Sequence, residues 1–235
     1  MSALDATTRP EATSPIRFDT VRVARPAPIG ESALGLTSAI AKTAVEGTEL
    51  HLGPINLAGD DQADRTVHGG PDKAVYAHPA EHLAAWATDL EEPELTSTGS
   101  APFGENLSTF GATETTAHIG DLWHWGDAVL EICQPRWPCQ KLTVHRASAR
   151  VGPLMRSSGR TGWYLRVLRP GTVPTSGTID VEPHSAGVSV FDAHRAMLDR
   201  RLDDRDLVER VAGLGGTLAA EWRMPLLERL ADAVA

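Results

Sequence analysis

The stretch DLWHWGDAVLEIC, residues 121–133, decides the fold class. Two largely apolar runs flank Gly126 and Asp127, a pair that can take the positive φ angles of a tight two-residue turn. After the turn, Ala128, Leu130 and Ile132 fall on alternate positions and would share one face, with Glu131 on the other, which is the period of a half-buried strand. The stretch therefore predicts an antiparallel β-hairpin.

The β character extends on both sides of this hairpin. From Arg17 to about Val181, short apolar runs are broken at close spacing by Gly, Pro, Asp and Asn. The run WYLRVL, Trp163–Leu168, predicts a further strand, and one helix is expected with Pro79 in its first turn. Many short strands with irregular connections favour a barrel, because closure removes exposed sheet edges.

The last fifty residues change to a helical period. Ser189 followed by Asp192 resembles a capping box at the start of a first helix. Asp203 or Asp204 would cap a second helix, and a third would carry Pro225 in its first turn. These patterns predict three C-terminal helices.

The fold class predicted from these patterns is α+β, mainly β with helices. Residues 1–16 are rich in Ser, Thr, Ala and Pro and are interpreted as a mobile tail. Residues 17–181 are expected to form a β-barrel-like domain, and residues 182–235 a small three-helix domain.

Charge and composition narrow the class of partner. The 235-residue chain has a net charge of -9 with scattered basic residues, which argues against a nucleic-acid or anionic membrane surface as partner. No apolar stretch is long enough for a membrane span or a signal peptide. The chain has two cysteines, too few for a disulfide framework, and we expect a reducing, cytoplasmic location.

The segment QPRWPCQKL, residues 134–142, is the first candidate for chemistry. Two prolines restrict the loop that carries Cys139, so its side chain is held in place. Arg136 and Lys141 lie close by, and positive neighbours favour the thiolate, which is both nucleophile and metal ligand. Taken alone, a free cysteine is more often a buried core residue. Cys133, which continues the strand alternation, is interpreted in that way.

Three other segments are weaker candidates. Gly69 and Gly70 could present backbone N–H groups to an anion, with His68 beside them as a donor. Asn106 offers both a donor and an acceptor, and Arg160 stands between glycines, where its fork could bind phosphate oxygens. Taken singly, each of these is explained as well or better as a turn or a solvated surface residue.

The segment HPAEH, residues 78–82, fits the H-x-x-E-H pattern of inverted zinc peptidases. Pro79 would place the motif at a helix start, where polar residues are expected for other reasons. No third, acidic ligand is identifiable downstream. We therefore do not favour a zinc peptidase.

The order of the motifs is more specific than any one of them. Over about residues 34–173 the succession resembles the MOSC domain family, and within it the YiiM type, in which a small three-helix domain often follows. The motifs that carry this resemblance are Lys42, HGGPDKAVY (68–76), FGENL (103–107), IGD (119–121), QPRWPCQKL (134–142) and GRTGWYLRVL (159–168).

The resemblance implies a β-barrel-like MOSC fold that binds a mononuclear molybdenum cofactor. It implies Cys139 as the catalytic thiolate and metal ligand. Members of this type reduce N-hydroxylated compounds, including hydroxylaminopurine-type bases, to amines, so a detoxifying oxidoreductase is expected.

The other cofactor contacts follow from the resemblance together with the chemistry of the side chains. Arg136, Arg160 and Lys42 are the candidates for the phosphate, near the Gly69 and Gly70 amides. His68 and Asn106 are candidates for the pterin or for proton relay, with His68 as the catalytic acid. The cofactor-binding set is thus Lys42, His68, Gly69, Gly70, Asn106, Arg136 and Arg160.

The electron source is expected to be a separate reductase. The sequence has no cysteine cluster for iron–sulfur and no dinucleotide glycine fingerprint. A homodimer is compatible with the sequence. The main alternative function is a non-redox sulfur carrier, in which Cys139 bears a persulfide.

Overall fold

The computed structural model describes residues 14–31, 35–63 and 69–233. Within these ranges the chain forms twelve strands and six α-helices. The strands are β1 (Ile16–Val23), β2 (Ala27–Pro28), β3 (Thr37–Ser38), β4 (Thr43–Ala44), β5 (Glu49–Leu52), β6 (Val75–Pro79), β7 (Leu107–Phe110), β8 (Leu122–Trp125), β9 (Ala128–Pro135), β10 (Trp163–Arg169), β11 (Gly171–Pro174) and β12 (Gly177–Glu182). The helices are α1 (Leu83–Leu90), α2 (Gln140–His145), α3 (Val151–Ser158), α4 (Val190–Leu198), α5 (Arg205–Ala212) and α6 (Ala220–Asp232).

Seven strands form a closed barrel. Their order is β12-β8-β9-β10-β6-β7-β1, and the pairing of β1 with β12 closes the ring. Neighbours in the ring are antiparallel, apart from the parallel pair β6–β7. The predicted barrel and the α+β class are confirmed.

The predicted hairpin is the β8–β9 pair. Trp125 lies opposite Ala128, and Gly126 between them has a φ of 57°. The aromatic residues of β8 point inward and supply the core. Trp123 packs edge-on against Trp163 of β10 at a ring distance of 6.0 Å, and Trp125 packs edge-on against Phe18 at 5.6 Å. The strand predicted from WYLRVL is β10.

The C-terminal helices begin where their capping residues predict, with one exception. The Ser189 side chain accepts a hydrogen bond from the backbone N–H of Asp192 at 2.9 Å, completing a capping box for α4. Asp204, rather than Asp203, caps α5. The placement of Pro225 in the first turn of α6 is wrong, because that helix already begins at Ala220. The turns before Pro225 bury Trp222 in the core that the helices share with the barrel, and the proline removes one backbone hydrogen bond inside the helix.

Two other predicted boundaries differ from the structure, and two helices have no predicted counterpart. The tail predicted for residues 1–16 is too long at its end, because Ile16 is buried and pairs with Ile179; residues 1–13 lie outside the described residues. Pro79 ends β6 and is the N-cap of a 3₁₀ turn, Ala80–His82, that leads directly into α1 at Leu83, so it stands one position before the first helical turn rather than inside it. Helices α2 and α3 were not anticipated.

The helical unit, which we define as α4–α6, shares its core with the barrel. Val190, Val211 and Trp222 belong to the same apolar cluster as Leu130 and Ile132 of β9. The last barrel strand ends at Glu182, and α4 begins at Val190. No helix within the described ranges combines the length and apolar character needed to cross a bilayer.

Candidate active site

The loop between β9 and α2 holds Cys139 in place. Cys139 is the N-cap of α2, and its carbonyl accepts a hydrogen bond from the backbone N–H of Leu142 at 3.1 Å. At the other end of the loop, the backbone N–H of Arg136 donates to the carbonyl of Gly162 at 3.3 Å. The loop is therefore tied at both ends, and the half-buried thiol of Cys139 has a defined position.

The two cysteines have different environments. Cys133 is fully buried in β9, and its thiol donates to the carbonyl of Asp72 at 3.2 Å. Burial raises the pKa of Cys133 to about 12, so this thiol stays protonated. Its interpretation as a core residue agrees with the structure. Cys139, by contrast, opens onto two cavities.

The first cavity is a cleft that we call the cationic cleft, because all three lysines of the chain line it. Its empty space is about 570 Å³, including the part open to solvent. Positive side chains gathered in a chain of net charge -9 make a local site for an anion. Its charged, polar and thiol lining includes Lys42, Lys73, Lys141, Arg136, Asp60 and Cys139.

Lys42 is held in the cationic cleft by a buried carboxylate. Asp60 pairs with its ammonium group, and the same carboxylate accepts from the backbone N–H of Ala24 at 2.9 Å. Burial lowers the pKa of Lys42, and the negative charge of Asp60 opposes that effect. The sequence did not mark Asp60 as a site residue, because an Asp after a glycine is typical of a turn.

Asn106 lies at the cleft, but its amide is used inside the protein. Its side-chain oxygen accepts from the backbone N–H of Tyr76 at 3.0 Å. Its nitrogen donates to the carbonyl of Arg22 at 2.9 Å and to Asp60 at 2.8 Å. Both amide protons are therefore engaged. Asn106 positions Asp60, and through it Lys42, rather than presenting a donor to a ligand as the sequence suggested.

Arg136 forms a buried cation at the cleft. Its guanidinium donates to the carbonyl of Phe103 and lies over the ring of Tyr76, 4.5 Å from the centroid. The Tyr76 hydroxyl donates to the carbonyl of Thr161 at 2.8 Å. Desolvation raises the pKa of both Tyr76 and Tyr164, so both phenols are neutral donors.

Arg160 lies away from the cationic cleft, contrary to the sequence prediction. Its guanidinium pairs with Asp89 of α1 and lies 4.4 Å from the centroid of the Trp86 ring. The contact fastens α1 to the loop before β10. The sequence could not reveal this, because Asp89 comes from a distant segment.

The glycine pair does not line the cleft itself but precedes a turn that does, at Lys73. Gly70 has a φ of 95° and begins the short turn Pro71–Lys73, whose last residue lines the cleft. Gly69 and Gly70 are not among the described residues that line it. His68 lies outside the described residues.

The H-x-x-E-H segment does not form a metal site. His78 is buried in β6 and stacks on Phe103 at 4.4 Å, whereas His82 bonds Glu114 at 2.6 Å. Glu81 accepts from the backbone N–H of Gly111 at 2.7 Å. Among the described residues, no group of three or more His, Cys, Asp or Glu side chains could hold a metal ion.

His78 should make the protein sensitive to acid. Burial, and then the charges of His82 and Arg136, lower the pKa of His78 well below its usual value. The unfolded chain would take up a proton near pH 6.5 that the folded protein refuses. The contribution of His78 to the free energy of unfolding is thus fully present above that pH. It is lost as the pH falls, by about 1.4 kcal/mol per pH unit.

Urea unfolding between pH 7.5 and 5 would measure this effect. His78→Phe keeps a ring against Phe103 and should flatten the acid slope by that amount. His51→Gln, at an exposed position of β5, should keep the wild-type slope. An unchanged slope in His78→Phe would contradict the assignment. Burial also lowers the pKa of His145 and His194, which supply part of the remaining slope.

The second cavity lies between the cysteine loop and the helical unit, and we call it the inter-unit groove. Its empty space is about 1950 Å³, including the part open to solvent. Apolar side chains form much of its wall, and Lys73, Cys139 and Tyr164 line both cavities. The apolar members of the wall include Trp137, Met197, Leu198, Trp222 and Pro225.

Comparison with known proteins decides the family. The MOSC domain profile matches residues 64–180. Protein YiiM of Escherichia coli is 38% identical over 83% of this chain and 85% of its own length. The chain belongs to the MOSC domain family. A second relative of this MOSC protein, named Reductase, from Gibberella moniliformis, is 35% identical over 65% of the chain and 27% of that protein.

Solved structures extend the likeness to the helical unit of the MOSC protein. The crystal structure of YiiM from Geobacillus stearothermophilus has a TM-score of 0.73 and 25% identity, covering 92% of this chain and 100% of that one. The crystal structure of YiiM from Escherichia coli has a TM-score of 0.71 and 31% identity, covering 92% and 94%. Barrel and helices together are thus common to these proteins.

Proposed function

We propose that this MOSC protein is an oxidoreductase that binds the molybdenum cofactor through Cys139. Its proposed reaction is the reduction of N-hydroxylated compounds, such as hydroxylaminopurine-type bases, to amines. The observation that carries the proposal is the position of Cys139, a half-buried thiol where the cationic cleft and the inter-unit groove meet.

The residues at the cleft fit such a cofactor. Molybdenum favours soft sulfur donors, and the side chain of Cys139 offers one at the edge of the cleft. The cofactor's dithiolene brings further sulfur ligands, so a single protein ligand is sufficient. Lys42, Lys141 and Arg136 would hold its phosphate, because charged donors make the strongest hydrogen bonds to phosphate oxygens. Arg160 pairs with Asp89 away from the cleft, so the proposal does not include it among the residues that hold the phosphate.

When bound, the cofactor would supply two electrons to the N–O bond. With two protons, an N-hydroxylamine then gives the amine and one water. The chain's own residues bind and orient the reactants: Lys73 and the neutral Tyr164 are hydrogen-bond donors that line both cavities. His68, which precedes Gly69, is the proposed proton donor.

We propose that the electrons come from a separate reductase. The name of the fungal relative points to reduction as its activity, and this chain covers only 27% of that protein. The remaining part of the fungal protein is not matched by this chain. A detoxifying, cytoplasmic role for this chain follows from the substrate class and is part of the same proposal.

Elemental analysis tests the proposal. Wild type, Cys139→Ala and Cys133→Ala would be purified from a host that makes the cofactor, and their molybdenum content compared. We expect near-stoichiometric metal in wild type and in Cys133→Ala, and loss of the metal in Cys139→Ala. Absence of molybdenum from all three would refute the proposal, and a labile sulfur on Cys139 by mass spectrometry would then identify a sulfur carrier.

A further inference from the structure

Trp137 is exposed but firmly oriented. Its side chain lies in the cysteine loop and is 40% exposed, which is high for so large an apolar residue. Two residues of the helical unit hold its ring: Trp222 lies edge-on at 5.7 Å, and His194 lies at 6.1 Å. Trp222 is itself buried, and His194 donates a hydrogen bond to the carbonyl of Arg156 at 2.8 Å. The helical unit thus fixes an aromatic ring that remains open to solvent.

Cys139 is close to Trp137 along the chain and lines the same cavity. Trp137 and Cys139 are separated by Pro138 alone, so their Cα atoms are at most about 7.6 Å apart. Both residues line the inter-unit groove. A flat molecule stacked on Trp137 in this groove would therefore lie in the same cavity that Cys139 lines.

The two cavities that meet at Cys139 suit different chemical groups. Lys42, Lys141 and Arg136 line the cationic cleft. The inter-unit groove has charged side chains of both signs, but Met197, Leu198 and Pro225 add an apolar wall that the cleft lacks. The groove is also much larger, with about 1950 Å³ of empty space against about 570 Å³. Anionic groups favour the first, and aromatic rings favour the second.

We propose that the inter-unit groove is the substrate compartment and that Trp137 binds the flat aromatic ring of the substrate. This inference rests on the proposed function, because it takes the reacting centre to be at Cys139. It gives the helical unit a role: Trp222 and His194 orient Trp137, while Met197 and Leu198 form part of the apolar wall of the same groove. Trp137 sets the specificity for planar rings, whereas the N–O bond is reduced at Cys139, where the groove meets the cationic cleft.

A fluorescent flat ring tests the assignment without any turnover. The full chain, as purified, would be titrated with 2-aminopurine, whose emission is quenched when it stacks on tryptophan. We expect saturable quenching in wild type. Trp137→Leu should weaken binding about tenfold, within the range measured for base stacking on aromatic side chains. Trp137→Phe should restore most of it, and cyclohexylamine, which is not planar, should not displace the probe.

The matched control is an exposed apolar residue outside both cavities. Leu168 of β10 is 53% exposed, and Leu168→Ala should bind the probe as wild type does. In turnover assays Trp137→Leu should raise KM and leave kcat nearly unchanged, because stacking holds substrate and transition state alike. Circular dichroism and thermal melting would establish that each variant is folded.

The outcomes separate this inference from the proposed function. Equal probe affinity in wild type and Trp137→Leu, or no saturable binding, would overturn the substrate compartment even if molybdenum is present. Saturable binding that depends on Trp137 in a protein without molybdenum would support the groove as a planar-ring site. In that case the proposed chemistry at Cys139 would be wrong.

Discussion

Cys139→Ala is expected to reduce turnover of an N-hydroxylated base to the background rate. Loss of even an outer partner of a metal ligand typically costs roughly 10–100-fold in affinity or activity, and loss of the ligand itself should cost more. Cys139 lines both cavities, whereas the other cysteine, Cys133, is a fully buried residue of β9. No second thiol of the chain could take over its position.

The assay should supply electrons chemically, for example with reduced methyl viologen, so that a missing partner protein does not limit the rate. Cys133→Ala is the matched control. Its thiol contacts backbone carbonyls in the core, so its removal should cost some stability and little turnover. Substantial turnover in Cys139→Ala, with wild-type folding, would mean that this thiol is not the metal ligand.

The parts of the fold that sequence predicted are those set by local interactions. The β8–β9 turn needs a residue that accepts a positive φ, and Gly126 provides it in place. The capping box at Ser189 joins groups only three residues apart. By contrast, α2 has six residues, too few to show a period, and α3 contains Gly152 and Pro153, which together are typical of a turn.

The site residues also differ in whether their neighbours in the fold are close to them in sequence. Cys139 and Arg136 could be predicted because they lie in one short, proline-bounded loop. The carboxylate that pairs with Lys42 could not, because Asp60 lies eighteen residues further along the chain and is held in place by the backbone of Ala24 and the amide of Asn106. Asn106 was the reverse case: an amide suits many ligands, and only the fold shows that its donors are already used.

The role of the helical unit was also invisible in the sequence. It has no motif of its own, and its contribution depends on Trp222 meeting Trp137 across the groove. The Lys73–Glu221 ion pair, at 2.7 Å, joins α6 to the barrel at the boundary of the two cavities. A surface formed by two distant segments leaves no periodic pattern, so only the folded chain reveals it.

Gly162→Ala is expected to destabilise the fold strongly and to disturb the cleft. Gly162 has a φ of 62°, and a Cβ there would lie 2.3 Å from the carbonyl oxygen of Ala77 and 2.9 Å from the ring of Tyr76. The backbone of Gly162 also donates to Glu114 at 2.6 Å and accepts from the backbone N–H of Arg136. Any shift that relieves the clash would therefore move the loop that carries Cys139.

The control for this prediction is Gly215→Ala. Gly215 has a φ of 63°, but a Cβ there would meet no atom of the described residues within 4 Å. Gly215→Ala should cost only the left-handed backbone conformation, about 1–2 kcal/mol. Gly162→Ala adds overpacking against backbone and should cost roughly 2–5 kcal/mol in urea unfolding at pH 7.5. Equal losses in the two variants would mean that the backbone at Ala77 moves enough to accommodate the new methyl group at low cost. The hydrogen bond from Arg136 to Gly162 would then not be what holds the cysteine loop in place.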